Sequence, residues 1–98
     1  MTSRYRITPR AAADLDAIAD YTIEKWGPER LETYLGALAD RFEWLADNPL
    51  LGRDRSDIHK GYRSYPEGNH VVFYITQDDW IAIIGIPHKS MDIGAFFI

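Results

Sequence analysis

Residues 8–49 read TPRAAADLDAIADYTIEKWGPERLETYLGALADRFEWLADNP. Thr8 before Pro9 is a helix start, because the threonine hydroxyl can cap and a proline at the first helical position lacks an amide hydrogen that would go unpaired there. Ala11, Leu15, Ile18, Ala19, Thr22 and Trp26 then recur at helical spacing and share one face. Asp14, Asp16, Asp20 and Glu24 fall off that stripe, toward solvent. Trp26-Gly27-Pro28-Glu29 is sharp punctuation: Gly27 suits the residue after a helix, and Pro28 suits the first position of the next. Leu31, Tyr34, Leu35, Leu38, Phe42 and Leu45 form a second stripe that ends before Asn48-Pro49. So short a connection makes the two helices antiparallel neighbours.

Outside the hairpin the pattern changes to strands. Arg4-Tyr5-Arg6-Ile7-Thr8 alternates polar and apolar residues, with Tyr5 and Ile7 expected to face the core. Residues 50–61 show no sustained period and are expected to form a loop. Tyr62–Tyr65, His70–Thr76 and Trp80–Ile86 are rich in β-branched and aromatic residues. Turns at Pro66–Asn69 and Gln77–Asp79 separate them, so an antiparallel meander is expected. The last of these strands is apolar at nearly every position, which predicts an interior place with both faces covered. The expected fold is α+β: a helical hairpin packed on a small, mainly antiparallel four-stranded sheet, in the order β-α-α-β-β-β.

With 98 residues, the whole chain (1–98) is expected to be a single domain with one modest core. No apolar run approaches the roughly 20 residues that span a bilayer, and Met1–Arg6 does not begin a secretory signal, so a cytoplasmic location is expected. Cysteine is absent, which excludes disulfides, thiolate metal sites and thiol nucleophiles. The net charge is −4, and residues 11–47 carry three bases against nine acids. Such a surface disfavours a broad phosphate-binding face, so no direct nucleic-acid binding is expected.

Conventional catalytic signatures are missing. His59, His70 and His88 lie far apart without metal-ligand spacing, so no metal is expected and no cofactor is implied. The glycines are isolated, and neither Ser64 nor Ser90 sits in a nucleophile elbow. One set has suitable chemistry for metal-free RNA cleavage: Arg53, Arg63, Tyr74 and His88, from a wider group with Arg55, Lys60, His70 and Lys89. Such a reaction needs a base for the 2′-hydroxyl, an acid for the leaving oxygen and cations for the phosphorane. Against that stands ordinary packing of Tyr74 and His70, with Arg53 and Arg55 paired to Asp54 and Asp57. The apolar end, Ala95-Phe96-Phe97-Ile98, either folds back on the domain or binds something.

Several stretches taken in order resemble the ParE toxins of the RelE/ParE superfamily of bacterial toxin–antitoxin modules. They are Ala12–Ile18 with Tyr21, Trp26-Gly27, Leu45–Pro49 with Gly52-Arg53, Gly61–Ser64, Gly68–His70 with Phe73-Tyr74, and Ile83–Ile86 followed by His88 and Met91-Asp92. The resemblance implies a toxin that inhibits DNA gyrase by protein binding, is not an enzyme, and is neutralised by a ParD-type antitoxin in a hetero-oligomer. The RelE branch instead cleaves messenger RNA on the ribosome. This chain departs from that branch, with no tyrosine beyond Tyr74 and a single lysine in its loop. Under the ParE reading, Trp26, Leu31, Tyr34, Leu38 and Trp80 are the expected antitoxin-docking residues. Met91, Ile93, Phe96 and Phe97 are the expected target-binding residues. The alternatives are a ribosome-dependent endoribonuclease using Arg53, Arg63, Tyr74 and His88, and a degenerate toxin that only binds its antitoxin.

Overall fold

A computed structural model describes residues 4–97. Met1–Ser3 and Ile98 lie outside the described residues, and with them part of the expectations for the two ends. The elements run β1 (Tyr5–Ile7), α1 (Pro9–Trp26), α2 (Pro28–Asp47), β2 (Arg53–Asp54), β3 (Tyr62–Glu67), β4 (His70–Thr76), β5 (Ile81–Gly85) and α3 (Ile93–Phe96).

The helical hairpin forms where its punctuation places it. The Thr8 hydroxyl accepts the Ala11 amide at 3.3 Å and donates to the Ile83 carbonyl at 3.0 Å, so one side chain caps α1 and ties it to β5. Gly27 alone joins α1 to α2 at φ +90°, a conformation that L side chains rarely adopt. The buried faces carry Ala11, Ile18 and Thr22 on α1 and Leu38, Phe42, Leu45 and Ala46 on α2. They pack against Val72, Tyr74, Ile81, Ile83 and Ile86 from the sheet and its end.

The sheet differs from expectation in two ways. It has five strands in the order β1-β5-β4-β3-β2, and it is mixed, because β1 pairs parallel to β5 while the other pairings are antiparallel. The parallel pair follows from the route of the chain, since the hairpin carries it across one face before it returns beside β1. The added strand, β2, lies inside the stretch read as a loop. Both its residues are exposed and it has no apolar period, so no pattern marked it.

β3 also runs two residues further than the expected Tyr65, through Pro66 to Glu67. Val71, the partner of Pro66, sends its amide to the Pro87 carbonyl at 2.9 Å. Pro66 therefore occupies a pair whose nitrogen points out of the sheet, beyond the end of β2, and no ladder bond is lost. The turn shrinks to Gly68-Asn69, with Gly68 at φ +58°. β5 has a neighbour on each side and is buried along nearly its whole length.

Two side chains on α1 also depart from the simple stripe. Asp14 is half-buried, and its carboxylate accepts the Ile86 amide at 2.9 Å, satisfying a donor where β5 ends. Trp26 is 57% exposed, although it sits in register with the buried stripe.

Candidate functional site

The second half of α1, the start of α2, the β3–β4 turn and the segment after β5 enclose a groove of about 740 Å³. Ile18 and Thr22 anchor α1 in the core, which leaves Tyr21 and Lys25 on the flank of the buried stripe. Tyr21, Trp26 and Met91 wall the groove at 61%, 57% and 51% exposure, high values for such large apolar groups. Cations stand beside the aromatics. The Lys25 ammonium is 5.7 Å from the Tyr21 ring centre, and the Arg30 guanidinium is 5.1 Å from that of Trp26.

The floor is polar and connected. The Tyr34 hydroxyl lies 2.6 Å from His70 Nδ1 and takes the Asn69 amide at 3.2 Å. His70 meets His88 edge to face, with ring centres 5.3 Å apart. His88 Nδ1 accepts the Ser90 amide at 3.1 Å and contacts the Ser90 hydroxyl at 2.7 Å. Burial raises the Tyr34 phenol above its ordinary pKa. Burial, and secondarily the charge of His88, lowers that of His70, so His70 is neutral at physiological pH. A ring nitrogen that accepts an amide hydrogen carries none of its own, so the His88 ring hydrogen sits on Nε2. The Tyr34 phenol also lies 3.2 Å from the Glu67 carbonyl, and its single hydrogen goes either there or to His70 Nδ1, so the His70 tautomer follows that choice. Among the described residues, Lys25 and Arg30 are the groove's charged lining and no carboxylate faces it.

The groove gathers expected site residues from three different groups. Trp26 and Tyr34 were read for antitoxin docking, Met91 for target binding and His88 for cleavage, and all four line it. The other docking residues lie elsewhere. Leu38 is in the core, and Leu31 is half-buried away from the groove. Trp80 sits at the opposite end of β5, with the Arg6 guanidinium 4.5 Å from its ring centre. Tyr21, Lys25, Arg30 and Ser90 were not picked from the sequence as binding residues. The available signal was Tyr21, an aromatic on the flank of an amphipathic helix with a lysine four residues on.

The remaining target-binding residues belong to a tail that folds back on the sheet face away from the helices. Asp92 caps α3 by accepting the Ala95 amide at 3.3 Å. The Phe97 ring packs on Phe73 at 4.9 Å, Tyr62 at 5.2 Å and Phe96 at 4.9 Å. The Arg10 guanidinium lies 4.2 Å from the Phe96 ring centre and donates to the Phe96 carbonyl. A Cβ on Gly85 would stand 2.9 Å from the Phe96 ring and 3.2 Å from that of Phe97. Ile93, Phe96 and Phe97 are consequently half-buried.

The four cleavage candidates do not converge. Tyr74 is fully buried; its hydroxyl donates to the Pro49 carbonyl and accepts the Gly52 amide, both at 2.9 Å. Burial raises its phenol pKa. Arg63, its cross-strand partner, donates to the carbonyls of Gly52 at 2.8 Å and Leu50 at 3.3 Å. Arg53 is exposed on β2. His88 bridges to His70, four residues along β4 from Tyr74, or roughly 13 Å at strand rise. Of the expected surface pairs, Arg55 does meet Asp57 at 3.1 Å, whereas Asp54 accepts from Ser56.

Residues 5–93 match the family model of the ParE toxin of the type II toxin–antitoxin system parDE. The chain belongs to the ParE toxin family. It is 37% identical over 94 residues to Toxin ParE1 of Mycobacterium tuberculosis, covering 95% of this chain and 96% of that one. It is also 37% identical over 91 residues to Toxin ParE1 of Caulobacter vibrioides, covering 93% and 94%. A solved structure described as a chromosomal ParDE TA system from P. aeruginosa shares the fold, with a TM-score of 0.72 and 24% identity. That match covers 86% of this chain and 92% of the other. No helix among the described residues of this ParE family member is long and apolar enough to cross a membrane.

Proposed function

We propose that this ParE family member is a cytoplasmic toxin that acts by binding, with DNA gyrase as its target, and that a ParD-type antitoxin neutralises it by filling the groove between α1, α2 and the end of β5. The observation that carries this reading is the groove itself. It presents three large apolar side chains that the fold leaves half or more exposed. A helix from a partner can lay an apolar face there. The family match supplies the class of partner.

The same geometry supports action without bond cleavage. A general acid must come within hydrogen-bond reach of its substrate, and the Tyr74 hydroxyl is enclosed with both its bonds made inside the protein. Arg63 spends donors on loop carbonyls. The target-binding surface proposed is the apolar tail, with Met91, Ile93, Phe96 and Phe97.

The test is a supercoiling assay with purified gyrase. Inhibition at micromolar concentration, relieved by stoichiometric antitoxin, is the expected result. New 5′ ends in transcripts after induction, with gyrase unaffected, would sink this reading and restore the ribonuclease. A complex with antitoxin but no growth arrest without it would identify a toxin that has lost its target.

A further inference from the structure

We infer that the groove selects a carboxylate: the antitoxin segment that fills it combines an apolar face for Tyr21, Trp26 and Met91 with an acidic side chain set among Lys25, Arg30 and the His88 imidazole. This rests on the antitoxin reading above and specifies the chemistry of the partner.

The charge distribution points there first. Residues 11–47 carry nine acids and only three bases, yet two of those bases line the groove and none of the acids does. Among the described residues, the side-chain ion pairs are Arg41 with Glu67 and Arg55 with Asp57, so Lys25 and Arg30 meet no internal carboxylate. The groove is a positive island on a chain of net charge −4. Opposite potentials across an interface set specificity and orientation.

The floor agrees independently. His88 Nδ1 is occupied by the Ser90 amide. What that ring has left is an Nε2–H donor, which a carboxylate accepts. Among the described residues no group of three or more His, Cys, Asp or Glu side chains gathers at the histidine pair, so the pair alone would have to hold a metal ion. The apolar walls identify the occupant as a polypeptide: a small free anion would leave Tyr21, Trp26 and Met91 uncovered.

The experiment uses the full chain and the ParD-type antitoxin of the proposed function, with affinity measured by calorimetry at several salt concentrations. The toxin variants are Lys25→Glu/Arg30→Glu and, as a control remote from the groove, Lys60→Glu. All three positions are exposed, so folding is preserved, and thermal unfolding of each variant verifies it. The double reversal is expected to weaken binding by at least about thirtyfold, the usual scale for disrupting a desolvated charge pair, and to flatten the salt dependence. Lys60→Glu is expected to stay within about twofold, as for a charge outside the contact. Changing the acids of the antitoxin's C-terminal segment to glutamine one at a time is expected to find one with a comparable loss, non-additive with Lys25→Gln/Arg30→Gln. Tight binding by wild type together with equally tight binding by the double reversal overturns this inference and leaves the antitoxin reading intact. No complex with the wild-type chain overturns both.

Discussion

Tyr74→Phe removes one oxygen from the core and separates the two chemical readings of this residue. Tyr74 is 0% exposed, and its hydroxyl holds the bend between α2 and β2 by giving to Pro49 and taking from Gly52. Phenylalanine fills the same volume but leaves the Gly52 amide and the Pro49 carbonyl without partners. A buried donor left unpaired costs about 1–3 kcal/mol, and the lost bond to the carbonyl adds about 1 kcal/mol. The expected destabilisation is therefore about 2–4 kcal/mol, a large part of the roughly 5–15 kcal/mol that holds a domain together. In a chain of this size each kcal/mol lowers Tm by about 4–8 °C, so a fall of roughly 8–32 °C is expected. Urea unfolding of the purified toxin measures it, with the midpoint lowered and the slope unchanged. If the hydroxyl is structural, toxicity survives wherever the variant is folded. A loss below about 0.5 kcal/mol would refute the anchoring account, since that is the scale of a neutral surface substitution. Loss of activity at unchanged stability would instead make Tyr74 a participant in chemistry.

Three further changes test other parts of the structure. Asp14→Ala leaves the Ile86 amide unpaired at the end of β5 and is expected to cost about 1.5–3 kcal/mol by chemical denaturation, whereas Asp14→Asn keeps an acceptor and costs less. Gly85→Ala pushes a methyl group into the rings of Phe96 and Phe97 and is expected to cost about 1–3 kcal/mol. In the background of Phe96→Ala and Phe97→Ala most of that penalty should vanish, which a double-mutant cycle measures. His70 has a folded pKa below the unfolded value of about 6.5, so the unfolded chain takes the proton first. Its contribution is complete above about pH 6.5 and is lost as the pH falls toward the folded pKa, so His70→Gln should flatten the acid limb of stability against pH.

How legible these features were in the sequence depends on whether a pattern repeats. The hairpin could be read because two stripes, a capping threonine and the Gly27-Pro28 pair all agree. β2 could not, because a two-residue exposed strand has no period. The tail was left between folding back and binding. Gly85, a glycine inside an apolar strand, was the available sign of close packing by another segment. The groove was half visible. Trp26 and Tyr34 were picked as docking residues, but Trp26 was also counted on the buried stripe. Helical spacing shows which side chains share a face and not where the opposing sheet ends. The cleavage set failed to gather because residue type carries no distance: Tyr74 and Arg63 pair across strands while His88 lies along β4 on the groove floor.

The two faces of the sheet divide the work, and α1 serves both. Near its start Arg10 grips the tail against Phe96; near its end Tyr21, Lys25 and Trp26 build one wall of the groove. Residues 88–92 connect the two regions. His88, Ser90 and Met91 line the groove, and the next residue, Asp92, caps α3 and so fixes where Phe96 and Phe97 lie. On the proposed function, an antitoxin seated in the groove covers Met91 directly while leaving the phenylalanines on the far face. Neutralisation then needs no overlap with the whole target surface. It needs only to hold the first residue of that surface, whose side chain is already part of the groove wall.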